Sequence, residues 1–425
     1  MYTSRKYESY FCANKNYYVS VIIPVVDENE DLFSDVLSRI TAQDPDEVVI
    51  VINGPENPRL KEISEHYASI SRCSFSVIHT PVPGKRNAIR IGVETLSPES
   101  DITLLVDSDA VWDDNVIENI LMPFSFDENI GGVTTRQKIL DPKRNSVSVV
   151  ASILEDIRAE GTMKSMSAYD KVGCLPGRTI AFRTSILREC MDEFMNEKFM
   201  GIHKEVSDDR SLTNLTLKRG YKTVMQDTAV VYTDCPLEWK KYFRQQLRWA
   251  EGSQYNNIRM FPWMLKNSKL MLFIFGSDML MPFLLFATII NSLICFAARK
   301  AGYPIHAVPN AQPFSISIFL MYIGSALTFS VRNLKLIKEN GKSIIFMFPV
   351  LVLFLTLFMA PIKVIGLSRC ADNLSWGTRN LGKKEEKLSD SPDKHLSRYQ
   401  IIVRVSVIVL LFVFVAVSFL TEYFL

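Results

Sequence analysis

The chain has 425 residues, 48% of them hydrophobic, which is longer than one ordinary domain and too apolar for a protein that is soluble throughout. Its 48 basic and 46 acidic residues leave a formal net charge of +2, so no global field points to nucleic acid, and no nucleic acid partner is expected. The seven cysteines (Cys12, Cys73, Cys174, Cys190, Cys235, Cys295, Cys370) are odd in number and scattered, without a CxxC pair or a Cys/His ligand spacing; they read as reduced thiols.

The first 18 residues contain no apolar stretch long enough for a signal peptide or a membrane span, so the first domain is expected to stay in the cytosol. VSVIIPVV at 19–26, VVIVI at 48–52 and ITLLV at 102–106 are short β-branched runs, with helical patterns such as 31–40 between them. This alternation predicts a parallel sheet with helices on both faces, which binds ligands at the carboxyl ends of its strands. Polar residues fall there: Asp27 and Glu28 after the first strand, Asn53 and Gly54 after the second, Asp107 and Asp109 after the third.

Two loops, PVPGKRNAIR at 81–90 and GCLPGRTIAFR at 173–183, combine glycine, proline and cations. Glycine admits close backbone approach and the cations suit a diphosphate, although ordinary turns share this composition. The DSD of 107–109 offers two carboxylates to a hard Mg²⁺ or Mn²⁺ ion, or else a simple turn. SDDRSLTN at 207–214 places Asp208 and Asp209 at a helix start, where they can cap the helix or act as a general base. In RQQLRW at 244–249, Gln245, Arg248 and Trp249 share one helical face, suited to phosphate and a sugar ring, or to a headgroup interface.

Beyond about residue 265 the composition turns apolar. Segments 270–298, 314–331, 344–362 and 401–420 are long enough to span a ~30 Å hydrocarbon core. By the positive-inside rule, the cationic stretch 240–259 and the loop RNLKLIKENGK at 332–342 face the cytosol, so the first two spans form an out-and-back hairpin. Pro349 and Pro361 are expected to bend 344–362, consistent with a segment that re-enters the membrane or lies along it; a complete span is the alternative.

Taken in order, VSVIIPVVDE, PGKRNA, DSD, GCLPG, SDDRSLTN, QQLRW and WGTR resemble the family 2 processive glycosyltransferases, the group of hyaluronan and cellulose synthases, over residues 19–380. More narrowly, VINGP, GGVTTRQKILDP and RQQLRWAEGSQYNN resemble members that polymerise a capsular polysaccharide from UDP-glucose and UDP-glucuronic acid. The resemblance implies an α/β GT-A (Rossmann-like) catalytic domain plus an α-helical transmembrane domain in the plasma membrane. The expected division is a cytosolic domain at 1–260, interface and membrane helices at 261–366, a gating segment and linker at 367–399, and a last membrane helix at 400–425.

By the same resemblance, Glu28 and Asn53 line a uridine pocket, and Lys85 and Arg86 contact the donor. Asp107 and Asp109 hold the nucleotide and a Mg²⁺ or Mn²⁺ ion, and Asp209 is the general base with Asp208 beside it. Cys174 lies near the acceptor; Gln245, Arg248 and Trp249 bind diphosphate and acceptor sugar. Trp376, Thr378 and Arg379 close over the bound UDP-sugar, which makes them cytosolic and argues that 344–362 does not cross. Arg136 and Arg178 are candidates for the carboxylate of a glucuronic acid donor.

Three departures stand out: Asn53 where many members have Asp, GCLPGR in place of the SGP-like sequence of hyaluronan synthases, and no membrane helix ahead of the catalytic domain. The implied partners are UDP-sugars, a growing polysaccharide with or without a lipid primer, membrane lipid, and a second copy of the chain if one copy cannot enclose a channel. A single-donor β-glucan or hyaluronan-type synthase and a non-processive lipid glycosyltransferase are the alternative readings.

Overall fold

The β-branched runs become the middle of a sheet. Strands β1 (Val19–Val25), β2 (Glu47–Asn53) and β4 (Ile102–Val106) are buried at every position, as continuous apolar runs are when helices cover both faces. The computed structural model describes residues 3–302, 314–372 and 397–424. Helices α1 (Glu30–Thr41) and α2 (Pro58–Ile70) are started by Asn29 and Asn57, whose side chains accept the backbone N–H groups of Leu32 and Leu60. Phe33, Val36, Leu37 and Ile40 of α1 enter the core.

Strand β3 (Ser74–Thr80) leads to α3 (Lys85–Thr95), and β4 leads to β5 (Ala110–Trp112) and α4 (Val116–Phe126). Then follow β6 (Ile130–Ile139), α5 (Ser146–Arg158) and, through a π turn at Ala159–Met163, α6 (Lys164–Ser167). Strand β7 (Thr179–Arg183), α7 (Thr184–Met195), a small β8 (Lys198–Phe199) and β9 (Ile202–His203) hairpin, α8 (Asp208–Lys218) and β10 (Lys222–Thr233) complete this part. The eight-stranded sheet has the order β3-β2-β1-β4-β7-β6-β10-β5. The chain leaves β1 toward β2 on one side, while β4 pairs with β1 in parallel on the other. That reversal opens a crevice at the carboxyl ends of β1 and β4, where Glu28 and Asp107 lie. Antiparallel β7 then joins β4 to β6.

The chain divides into two compact units. The sheet domain, to Tyr242, with Arg259–Met271 forms one; Phe243–Ile258, Leu272–Asp372 and the C-terminal helix belong to the other. Helix α9 (Trp239–Asn267) contributes to both and is followed by α10 (Lys269–Lys300), α11 (Phe314–Arg332), α12 (Leu334–Asn340), α13 (Met347–Phe354), α14 (Ala360–Ser368) and α15 (Arg398–Phe424). Among the described residues, Lys269–Ala298, Ile344–Ser368 and Arg398–Phe419 are long and apolar enough to cross a membrane, and Tyr322–Val331 is a shorter apolar stretch.

Pro349 and Pro361, expected to bend 344–362, both fall at positions a helix tolerates. Pro349 falls in the first turn of α13, where its missing N–H costs no helical bond, and Pro361 starts α14 just after a π turn, Leu355–Met359. The helical run therefore continues without a break to Ser368. Polar groups tie the helices of this unit together: the Asn291 amide on α10 donates to the Val415 carbonyl on α15 at 3.2 Å, Lys363 pairs with Asp278, and Arg404 pairs with Asp372 at 3.0 Å. Gly366 lets α14 approach closely: a Cβ there would stand 2.7 Å from that of Ala250.

Candidate active site

One lysine organises the crevice. Lys85 is the first residue of α3, after Gly84, whose φ of 135° lies in a region L side chains avoid. Its Nζ donates to Asp107 Oδ1 at 2.6 Å and lies 3.0 Å from Asp208 Oδ2, linking the end of β4 to the start of α8. Burial works against the lysine's charge, but Asp107 and Asp208 outweigh it and hold the ammonium above its usual range. For Asp208 burial again opposes ionisation, and Lys85 and then Arg86 overcome it, so its carboxyl is held below the usual range. Its neighbour Asp209 goes the other way: burial, then the charge of Asp208, push it up. Two adjacent carboxyls are thus set apart by environment, the arrangement that separates a fixed anion from a proton acceptor.

The turn that presents them is strained. Ser207, ahead of Asp208, is left-handed with φ 62°, a conformation costly for a residue with a Cβ and common at functional sites. The GCLPGR loop closes over the pair. Cys174 Sγ lies 3.9 Å from Asp209 Oδ2, and burial followed by the Asp209 charge pushes the thiol up to about 12, so it stays neutral. A Cβ on Gly177 would sit 3.4 Å from both Asp209 Cβ and Lys85 Nζ, so the loop packs tightly against both groups at this glycine. Asp107 N–H donates to the Arg178 carbonyl at 3.0 Å, fixing the loop against β4.

Two supports of that loop were not evident from the sequence. Gln137, buried at the carboxyl end of β6, donates to the Pro176 carbonyl at 3.0 Å and accepts from Arg158 and Arg178. Thr213 of α8 accepts the Leu175 N–H at 3.1 Å and donates to the Asp209 carbonyl at 2.7 Å. A run of polar residues at a strand's end, TTRQ at 134–137, was the available signal.

Glu28 lies across the crevice, accepting from Ser108 at 2.8 Å. Some expectations are corrected. Asn53 is fully buried, with its amide donating to the Val25 carbonyl and accepting from Gly84 N–H, both at 3.0 Å; it shapes the loop before Lys85 instead of presenting a polar group to a nucleoside. Arg86 is only 3% exposed and turns away from the crevice toward α7 and α8. Arg136 is enclosed by Asp156, Glu160 and Asp227, so its charge is already matched by protein. Arg178 pairs with Glu155 at 2.8 Å, and its charge also reaches Asp109 and Asp107.

Asp107 and Asp109 are partly open carboxylates close enough for Asp109 to help raise Asp107, although burial is the larger cause. Among the described residues no group of three or more His, Cys, Asp or Glu is disposed to cage an ion. Two carboxylates with substrate phosphates completing the shell are what Mg²⁺ or Mn²⁺ accepts, so the donor set fits such an ion. Gln245, Arg248 and Trp249 lie on α9 in the second unit, with Trp249 39% exposed. Trp376, Thr378 and Arg379 fall outside the described residues.

A mixed sheet with a carboxylate and lysine crevice at its switch point, followed by long apolar helices, defines a GT-A-type domain joined to a helical membrane region. Residues 16–252, more than half of the chain, match the model of the family described as Glycosyltransferase like family 2, and the chain belongs to that family. It is 25% identical to hyaluronan synthase 3 of Homo sapiens over 309 residues, which is 68% of this chain and 55% of that protein. To the hyaluronan synthase of Streptococcus pyogenes it is 27% identical over 252 residues, 58% of this chain and 59% of that one. The chain thus spans less than three fifths of these curated relatives' length. Among solved structures, the mannosyltransferase PcManGT from Pyrobaculum calidifontis, in complex with GDP-Man and Mn²⁺, has a similar fold, with a TM-score of 0.50 at 15% identity over 84% of this chain and 94% of that one.

Proposed function

We propose that the protein is a processive, inverting β-glycosyltransferase that builds a polysaccharide from UDP-glucose and UDP-glucuronic acid, as does the pneumococcal type 3 capsular polysaccharide synthase that its motifs resemble. The observation that carries the catalytic reading is the opposed setting of Asp208 and Asp209 around Lys85. Lys85 receives the donor's diphosphate at the crevice mouth, with the start of α3 behind it. Asp209, which is not paired to that lysine, takes the proton from the acceptor hydroxyl. The acceptor oxygen bonds to the anomeric carbon from the face opposite the departing UDP, and the bond between that carbon and the diphosphate oxygen breaks. Asp107 and Asp109 would hold a divalent cation, which would supply neutralisation of charge on the leaving diphosphate.

Gln245, Arg248 and Trp249 seat the acceptor end of the polymer. The sheet domain faces the cytosol, and 344–368 leaves Trp376 on that same side. Because Arg136 is enclosed by carboxylates, Arg178 is the better of the two candidates for the donor carboxylate, in exchange for its bond to Glu155.

The relatives named hyaluronan synthase favour a second reading, in which UDP-N-acetylglucosamine and UDP-glucuronic acid are the donors. Membranes carrying the protein, supplied with Mg²⁺ or Mn²⁺ and labelled donors singly and in pairs, decide between them. High-mass product from UDP-glucose with UDP-glucuronic acid alone supports the first reading. Product requiring UDP-N-acetylglucosamine supports the second, product from UDP-glucose alone indicates a glucan synthase, and a short lipid-linked product sinks processivity.

A further inference from the structure

Arg86 follows Lys85 in the first turn of α3, yet its side chain points into the protein. Its Nη1 donates to the Phe194 carbonyl at the end of α7, at 2.7 Å. Its Nη2 donates to the Val206 carbonyl at 3.0 Å and the Ser211 hydroxyl at 2.9 Å, and lies 2.7 Å from the Glu197 carboxylate. The guanidinium also stands 4.6 Å from the centre of the Phe194 ring.

Val206 and Ser211 flank the strained Ser207 and the Asp208–Asp209 pair, so a single planar group grips the start of α8 on both sides of the proton acceptor. A guanidinium can do this because its donors form a rigid fork; an ammonium cannot reach the same set at once. Glu197, itself 5% exposed, holds the fork in place and is shared with Arg259 from the later half of α9. The arrangement places a buried cation, Arg86, and a partly buried one, Arg259, on one carboxylate, which is maintained only when the geometry of all three is fixed.

We propose that Arg86 is a positioning residue for the transfer step: braced by Glu197 and Arg259, it sets the Asp209 carboxyl relative to Lys85 and so to the bound donor. It touches neither donor nor acceptor. Because Lys85 and Arg86 are neighbours on one helical turn, the cation that holds the diphosphate and the brace that holds the base share one backbone anchor. The proposal rests on Asp209 being the base.

The test uses full-length protein in detergent with Arg86→Lys, Ser211→Ala and Asp209→Asn, each compared with wild type by UDP release across pH, by KM for the UDP-sugar, and by thermal unfolding. Arg86→Lys is expected to lower kcat about 10- to 100-fold, the scale of a misplaced catalytic group, with KM changed by less than about 3-fold. It should also displace the acid limb of the kcat profile. Ser211→Ala, which removes one of the grips, should show the same pattern more weakly, and it decides the matter if Arg86→Lys fails to fold. A folded Arg86→Lys with unchanged kcat and limb, or one whose only defect is a raised KM, overturns the proposal. Asp209→Asn separates the two readings: if it keeps the wild-type rate, the base assignment fails independently of what Arg86 does.

Discussion

At the scale of single residues, the site is a problem of three carboxyls and one ammonium in partial burial. Asp208, whose folded-state pKa is lowered, contributes stability that is present above the usual aspartate pKa and is lost as the pH falls through its lowered value. Asp209 has the opposite sign. Its raised pKa means that its contribution is present below the usual value and is lost as the pH rises through the folded value, so at neutral pH its ionised form works against the fold. Asp209→Asn should therefore lower UDP release by about 10²- to 10⁴-fold while raising the unfolding temperature at neutral pH by an amount equivalent to ~1 kcal/mol. The gain should vanish near pH 3, where the wild-type carboxyl is protonated in both states. Unfolding curves of the two proteins at pH 3 and pH 7.5 check the sign, and a variant less stable at pH 7.5 would show that the Asp209 charge supports the fold.

At the scale of elements, what could be read from the sequence divides along burial. Strands β1, β2 and β4 announced themselves because both of their faces are covered, which makes the runs mostly β-branched and apolar, with Ser20, Glu47 and Asn53 as buried exceptions. Strand β3 did not, because at the sheet edge it is mostly half-exposed and carries serine and histidine. Strand β6 was hidden for a different reason: Thr134, Thr135, Arg136 and Gln137 are buried but polar, serving the site and a charge cluster instead of an apolar core. The motifs singled out Lys85, Asp107 and Asp209, which the fold brings to one crevice, but they could not reveal which way Arg86 or Asn53 turns, since both depend on partners more than 20 residues away.

The packing of α3 on β1 offers a direct check on the element that carries Lys85. A Cβ on Gly92 would stand 2.5 Å from Ile22 Cγ2. Gly92→Val forces α3 away from the sheet and is expected to cost about 1–3 kcal/mol, seen as a lower unfolding temperature. The rate per folded molecule should also fall, because Lys85 moves with the helix. A stability loss without a rate loss would mean that the first turn of α3 is held independently of its middle.

For the whole molecule, the open geometric question is the side of the membrane on which the chain emerges after α14. The apolar run Ile344–Ser368 is 25 residues long, about 37 Å at 1.5 Å per residue, enough to cross a ~30 Å core. Against a crossing stands the chemistry expected of Trp376–Arg379: a segment that closes over a UDP-sugar must be on the side where UDP-sugars are. Cations bear on this too. Arg369, just past α14, pairs with Glu251 of α9 at 2.9 Å, and α9 precedes the first span; within this unit, then, the end of α14 lies at the same level as a helix that has not yet entered the membrane. Arg404, near the start of α15, reaches Asp372 at the same end. The run must then re-enter, lie along the surface, or cross inward from the far side, which requires that α11 and α12 do not return the chain to the side of α9. Replacing Trp376 by cysteine in a variant whose seven native cysteines are replaced by serine, and labelling sealed vesicles of each orientation with an impermeant maleimide, reports the side on which this position lies. Labelling only in inside-out vesicles is expected, and slowing of it by UDP-sugar with Mg²⁺ would support the proposed closure of the segment over the donor. Labelling only in right-side-out vesicles would place Trp376 outside and remove it from the donor site, whatever its motif resembles.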